Sequence, residues 1–145
     1  MARRINLLAV ILAAIVQFAI GFAWYGYLFG PEWMAAVGFP PEAAETATMA
    51  DMAIPMVVSV ATAFGSAILI SLIISHSDDW GFIGGIGWAF LLWLLLALPM
   101  HAVPVLWEGR DPMLIAINGG EALAALLAAG IIIGIWPPRG VRRAS

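Results

Sequence analysis

Four long apolar stretches, Ile5 to Tyr27, Ile54 to Ser75, Trp80 to Leu106 and Met113 to Trp136, constrain this chain more than any other feature. A hydrocarbon core about 30 Å thick is crossed by about 20 helical residues, and each stretch reaches that length. None shows the two-residue alternation of a barrel strand, and each is too long for one. Helices, whose backbone groups are satisfied internally, are the spanning structure that remains. Composition agrees: of 145 residues, 63% are hydrophobic and 10% charged, where a soluble domain carries about half and about a quarter. A soluble globule of this length could not hide so much apolar surface. The fold class expected is all-α: a single membrane domain over residues 1–145, a four-transmembrane-helix bundle.

Charge placement predicts its orientation. Arg3 and Arg4 precede the first span, Arg139, Arg142 and Arg143 follow the last, and only Arg110 lies between. With four spans both termini share a side, and the positive-inside rule makes that side the cytoplasm. The outer connection, residues 30–53, then carries Glu32, Glu42, Glu45 and Asp51 with no basic residue. Trp24, Tyr25, Trp33 and Trp107 would sit near the outer interface, and Trp80 and Trp136 near the inner one. The Arg3-Arg4 start resembles a signal sequence, but its apolar run is too long and the residues around Gly21-Phe22-Ala23 make a poor cleavage site. An uncleaved first helix is expected.

Within the outer connection, Pro40-Pro41 followed by Glu42 to Met52 reads as a short interfacial helix, with proline at its start and an acid in its first turn. Trp33, Met34, Val37 and Phe39 would lie on the membrane surface beside it. Small residues mark the expected helix contacts, because lipid offers no hydrophobic drive and close approach must replace it. They are Ala9, Ala13 and Gly21 on the first helix, with Gln17 in the same four-residue spacing, Ala61 and Gly65 on the second, Gly81, Gly84, Gly85 and Gly87 on the third, and Ala125, Ala129, Gly130 and Gly134 on the fourth. Pro99 and Pro104 would kink the third helix near its end. His76, in the inner turn, is expected to be solvated.

Counting inward at about 1.5 Å per residue places Gln17, Ser59, Thr62, His101, Asn118 and Glu121 at one level, about 8–12 Å below the outer surface. Asn118 and Glu121, three apart, share a helix face. Glu121 is the most informative of them, since an acid at a helix centre costs about 2.5–3.5 kcal/mol on insertion scales and something must compensate it. Two readings follow. In one, Glu121 carries a proton or cation, with Asn118, His101, Gln17 and Thr62 as supporting ligands. In the other, a neutral glutamic acid and its neighbours are interhelical hydrogen-bond glue.

The chemistry classes are thin. Zero cysteines exclude thiolate nucleophiles and thiolate metal sites. No His-Glu-x-x-His, phosphate loop or Gly-x-Ser-x-Gly elbow occurs, so neither an enzyme, a metal centre nor a cofactor is expected. Glu108 and Asp111 flank Arg110 in a tight turn, where local ion pairing accounts for them. The net charge of -3 and the absence of basic patches give nucleic-acid binding no support.

Trp24-Tyr25-Gly26-Tyr27-Leu28-Phe29-Gly30, followed by Trp33-Met34 and Gly38, resembles a family of bacterial membrane proteins known as domain of unknown function 1761. The likeness extends to Glu108-Gly109-Arg110 and to Ile117-Asn118-Gly119. This chain departs from the family pattern at Tyr27, where proline usually follows Trp-Tyr-Gly, and at Asp111, which intervenes before Pro112. The resemblance implies a small four-helix integral protein of the bacterial cytoplasmic (inner) membrane, with no activity, substrate or cofactor to carry over. The expected role is a non-catalytic accessory subunit or small homo-oligomer, partnered by the lipid bilayer and by its own copies or a larger membrane complex. The alternative is a small proton- or cation-linked transporter or channel centred on Glu121.

Overall fold

The computed structural model describes residues 5–138. Arg3, Arg4, Arg139, Arg142 and Arg143, on which the expected sidedness rests, lie outside the described residues. Four helices are long and apolar enough to cross a membrane: α1 (Leu7–Leu28), α4 (Met49–Ser77), α5 (Phe82–Trp107) and α6 (Met113–Ile135). Between α1 and α4 run two short helices, α2 (Gly30–Val37) and α3 (Pro41–Thr46).

Short turns join α4 to α5 and α5 to α6, and even parity brings the described ends together. Asn6 caps α1 by accepting from the Ala9 amide at 3.3 Å, and its Nδ2 donates to the Trp136 carbonyl at 3.1 Å. At the same end the Gly81 amide donates to the Gly134 carbonyl at 2.8 Å.

Helix α6 is the hub, packed most extensively on α5 and α1 and also on α4. Its approach to α5 is backbone on backbone. A Cβ at Gly85 would collide with the Gly130 carbonyl, one at Gly130 with the Gly85 carbonyl, and one at Gly134 with the Gly81 carbonyl. The four-residue spacing Gly81, Gly85, Ala89 thus meets Gly130 and Gly134, the close contact that small residues permit in lipid. Val10, Ala13, Ala67, Ile70, Ile74, Ala129 and Ile133 form the buried core around it.

The expected contact face of the second span needs correction. Ala61 and Gly65 are exposed, and a Cβ at Gly65 would meet nothing. The buried face is Ala63, Ala67, Ile70, Ser71 and Ile74. Residues 45–62 are all exposed, because α4 touches the bundle only through its second half. That helix also begins earlier than expected, at Met49. Thr48 accepts from the Asp51 amide while the Asp51 carboxylate accepts from the Thr48 amide at 2.9 Å, a reciprocal cap that fixes the start. At 29 residues α4 is about 43 Å long, well beyond the hydrocarbon thickness.

Helix α2 was not expected. Pro31 and Glu32 in its first turn favour its start, and Gly38, at φ +75°, closes it with the Phe39 amide bonded to the Met34 carbonyl at 2.9 Å. The single helix foreseen from Glu42 to Met52 is instead split between α3 and the capped first turn of α4.

Candidate functional site

Two of the spanning helices widen into π-helical turns, α1 at Trp24–Leu28 and α5 at Trp93–Ala97. In each, an amide reaches back five residues to the carbonyl of the opening tryptophan: Phe29 to Trp24 at 2.8 Å, and Leu98 to Trp93. A proline follows closely in both cases, Pro31 and Pro99. Inside α5, Pro99 lacks a donor and its ring displaces the carbonyl four residues back, so one extra residue in the preceding turn lets that helix continue, whereas Pro31 opens α2. Helix α5 runs on through Pro99 and Pro104 to Trp107.

Both turns aim their tryptophans at one segment of α6. Trp24 Nε1 donates to the Ile117 carbonyl at 3.0 Å, and Trp93 Nε1 to the Gly119 carbonyl at 2.7 Å. Between them the Tyr25 hydroxyl donates to Asn118 Oδ1 at 3.0 Å. Three consecutive residues of α6 are thus each held by an aromatic side chain. Gly119 and Gly120 make room for this: added Cβ atoms would stand 3.2 Å from Leu98 Cδ1 and 3.1 Å from Trp24 Cζ2.

Glu121 follows directly. Its Oε1 would lie 3.2 Å from a Cβ on Gly21, which stands one turn before Tyr25 on α1. The carboxyl is half-buried and within electrostatic reach of the Tyr25 phenol. Among the described residues it has neither a hydrogen bond nor an ion pair. Arg110, the one arginine described, pairs instead with Glu108 at 3.6 Å on the surface. No group of three or more His, Asp or Glu side chains suited to a metal occurs among the described residues.

The polar layer read from depth alone resolves into separate parts. Gln17, 7% exposed, donates to the Ala63 carbonyl at 2.9 Å and accepts from the Ser66 hydroxyl at 2.8 Å, clamping α1 to α4. Asn118 joins Glu121 on the α1-facing side of α6. Thr62 joins neither: it is exposed on the splayed half of α4, its hydroxyl bonded to the Val58 carbonyl of its own helix at 2.9 Å. Ser59 does the same with Pro55 at 2.8 Å. His101 is half-buried on α5 and forms no hydrogen bond or ion pair among the described residues.

The motif residues acquire local reasons. Trp24 and Tyr25 are the clamps just described, and Trp33 meets Tyr25 edge to face with ring centroids 5.7 Å apart. Gly30, rather than Gly26, is the close-packed glycine, since its Cβ would strike the Tyr25 carbonyl whereas Gly26 faces open space. Gly109, at φ +64°, supplies the left-handed residue that turns the chain between α5 and α6. Of its neighbours Glu108 pairs with Arg110, while Asp111 instead caps α6 through the Met113 amide at 2.9 Å. The tryptophan clamps went unforeseen; a tryptophan with a proline six or seven residues on, Trp93 with Pro99 and Trp24 with Pro31, was the available signal.

No curated protein and no solved structure matches the chain. The family model described as protein of unknown function (DUF1761) matches residues 8–134. That match covers all four apolar helices but for one residue at each outer end, and both clamped turns, so the chain is a member of the DUF1761 family.

Proposed function

We propose that this multi-pass membrane protein binds and releases a proton, or a monovalent cation in its place, at Glu121, as a small non-catalytic carrier or channel of the bacterial inner membrane. The observation that carries the reading is a carboxyl in mid-helix with no partner of its own. Hydrogen-bond glue is bonded, as Gln17 and Asn118 are. A lone carboxylate at this depth costs several kcal/mol unless something neutralises it. With no cation of the described chain alongside, the neutralising charge comes from outside and can leave again. Gly21 leaves room for the carboxyl against α1, and the two π-helical turns place the irregular backbone that functional sites in helices often use beside it. A pathway through four helices requires a second copy, with the arginine-bearing termini on the cytoplasmic side.

A second reading, an accessory subunit of a larger complex, is favoured by one observation. The first half of α4 is apolar and exposed on every side, Ile54 at 76% and Val57 at 68%.

Proton uptake into liposomes reconstituted with the wild type or Glu121→Gln separates the two. The proposal expects uptake in the wild type that Glu121→Gln abolishes while thermal stability is kept. Equal uptake in both refutes it. A stoichiometric larger partner on purification from the native membrane, with no flux from the isolated protein, supports the accessory reading.

A further inference from the structure

The two ways from Glu121 to the membrane surfaces differ in length and in chemistry. Glu121 lies eight residues from the Met113 end of α6 and fourteen from the Ile135 end, about 12 Å and about 21 Å along the axis. The shorter way is polar. Asn118 stands one turn nearer the Met113 end on the same face, and its Oδ1 accepts from the Tyr25 hydroxyl at 3.0 Å. Glu121, Asn118 and Tyr25 are all half-buried, so none of the three is sealed off.

The longer way is apolar and packed. Among the described residues no ionisable side chain occurs on α1 before Gly21, on α5 before His101 or on α6 beyond Glu121. The packed half of α4 carries only His76, exposed in its last turn. Four-residue steps down α1 from Gly21 reach Gln17, Ala13 and Ala9. Gln17 has both ends of its amide engaged, by the Ala63 carbonyl and the Ser66 hydroxyl, and Ala13 and Ala9 are fully buried. The same steps along α6 from Glu121 reach Ala125, Ala129 and Ile133, all buried.

The remaining sides are closed as well. Val10, Ile70 and Ile74 fill the centre of this half, and α5 meets α6 backbone to backbone at Gly85 and Gly130. A proton or cation moves along polar groups or water, and a close-packed apolar layer holds neither.

We propose that Glu121 exchanges its proton or cation with one side of the membrane only, the side of α2 and α3, and that the packed half between it and the Asn6 end is a closed barrier. The inference rests on Glu121 being the exchanging group. It makes the protein a carrier, whose transport step is the opening of this barrier, in place of a standing pore.

The chain has no cysteine, so single replacements report access directly. Right-side-out and inside-out membrane vesicles carrying full-length Glu121→Cys are treated with a membrane-impermeant methanethiosulfonate. Glu42→Cys and Ser77→Cys, at exposed positions on α3 and at the end of α4, mark the two faces. Glu121→Cys should label in the vesicles that label Glu42→Cys, and its labelling should be lost in those that label Ser77→Cys. Asn118→Cys, one turn nearer the same face, should behave alike and carries the test if Glu121→Cys does not fold. Labelling from the Ser77 side, or from neither side, overturns the proposal. Labelling reports access and not flux, so two-sided labelling beside normal proton uptake overturns the barrier alone, whereas one-sided labelling beside a wild type without uptake overturns the carrier reading and keeps the barrier.

Discussion

Replacing Gly85 by alanine tests the packing that sets the whole bundle. Its new Cβ would meet the Gly130 carbonyl oxygen, the Gly130 carbonyl carbon at 2.8 Å and Gly134 Cα at 3.3 Å. Carbon atoms rest about 3.5–4.0 Å apart, so the helices must separate by about 1 Å. All the obstructing atoms are backbone, and no rotamer can yield. Overpacking of this kind costs about 1–3 kcal/mol. Against it stands the gain of about 1 kcal/mol from alanine's better helix propensity. Gly87, two residues on and facing open space, isolates that gain, since Gly87→Ala adds the propensity without the clash. Thermal unfolding in one detergent should therefore place Gly85→Ala below the wild type and Gly87→Ala at or above it. Equal stability of the two variants would refute the claim that α5 and α6 meet backbone to backbone.

A double-mutant cycle on Gln17→Ala and Ser66→Ala should give a coupling of about 0.6 kcal/mol, reaching about 1.7 at most, as for other polar pairs between membrane helices; additivity would mean that the 2.8 Å contact contributes nothing. Thr48→Ala removes the reciprocal cap at a cost of about 1 kcal/mol, felt only locally because residues 45–62 are exposed. Hydrogen exchange at the Asp51 amide should speed up about fivefold while overall melting stays put, and unchanged exchange there would remove the cap from the account.

The spans were legible because length and apolarity alone define them, and the close stripe at Gly130 and Gly134 because small residues have a clear physical role in lipid. Rotation of each helix about its own axis was not legible. When every face is apolar, nothing in the pattern says which residues turn inward, and so Ala61 and Gly65 were placed at a contact that Ala63 and Ala67 make. Depth predicted Thr62 at the level of Glu121, yet α4 leans away there and carries Thr62 with it. The π-helical turns compound the difficulty, since each inserts a residue and shifts the face of everything beyond Trp24 or Trp93. Asn118 and Glu121 do share a face of α6, because a spacing of three within an unbroken helix is insensitive to both effects. Helix α2 and the start of α4 were legible in principle, in Pro31 with Gly38 and in Thr48 with Asp51.

The central claim is that Glu121 exchanges a proton within the membrane, and infrared spectroscopy of the protein in lipid reads it most directly. Difference spectra between acid and alkaline pH are recorded for the wild type and for Glu121→Gln. The account predicts a carboxyl carbonyl band that comes and goes with pH in the wild type and is missing from Glu121→Gln. Identical difference spectra from the two proteins would contradict it.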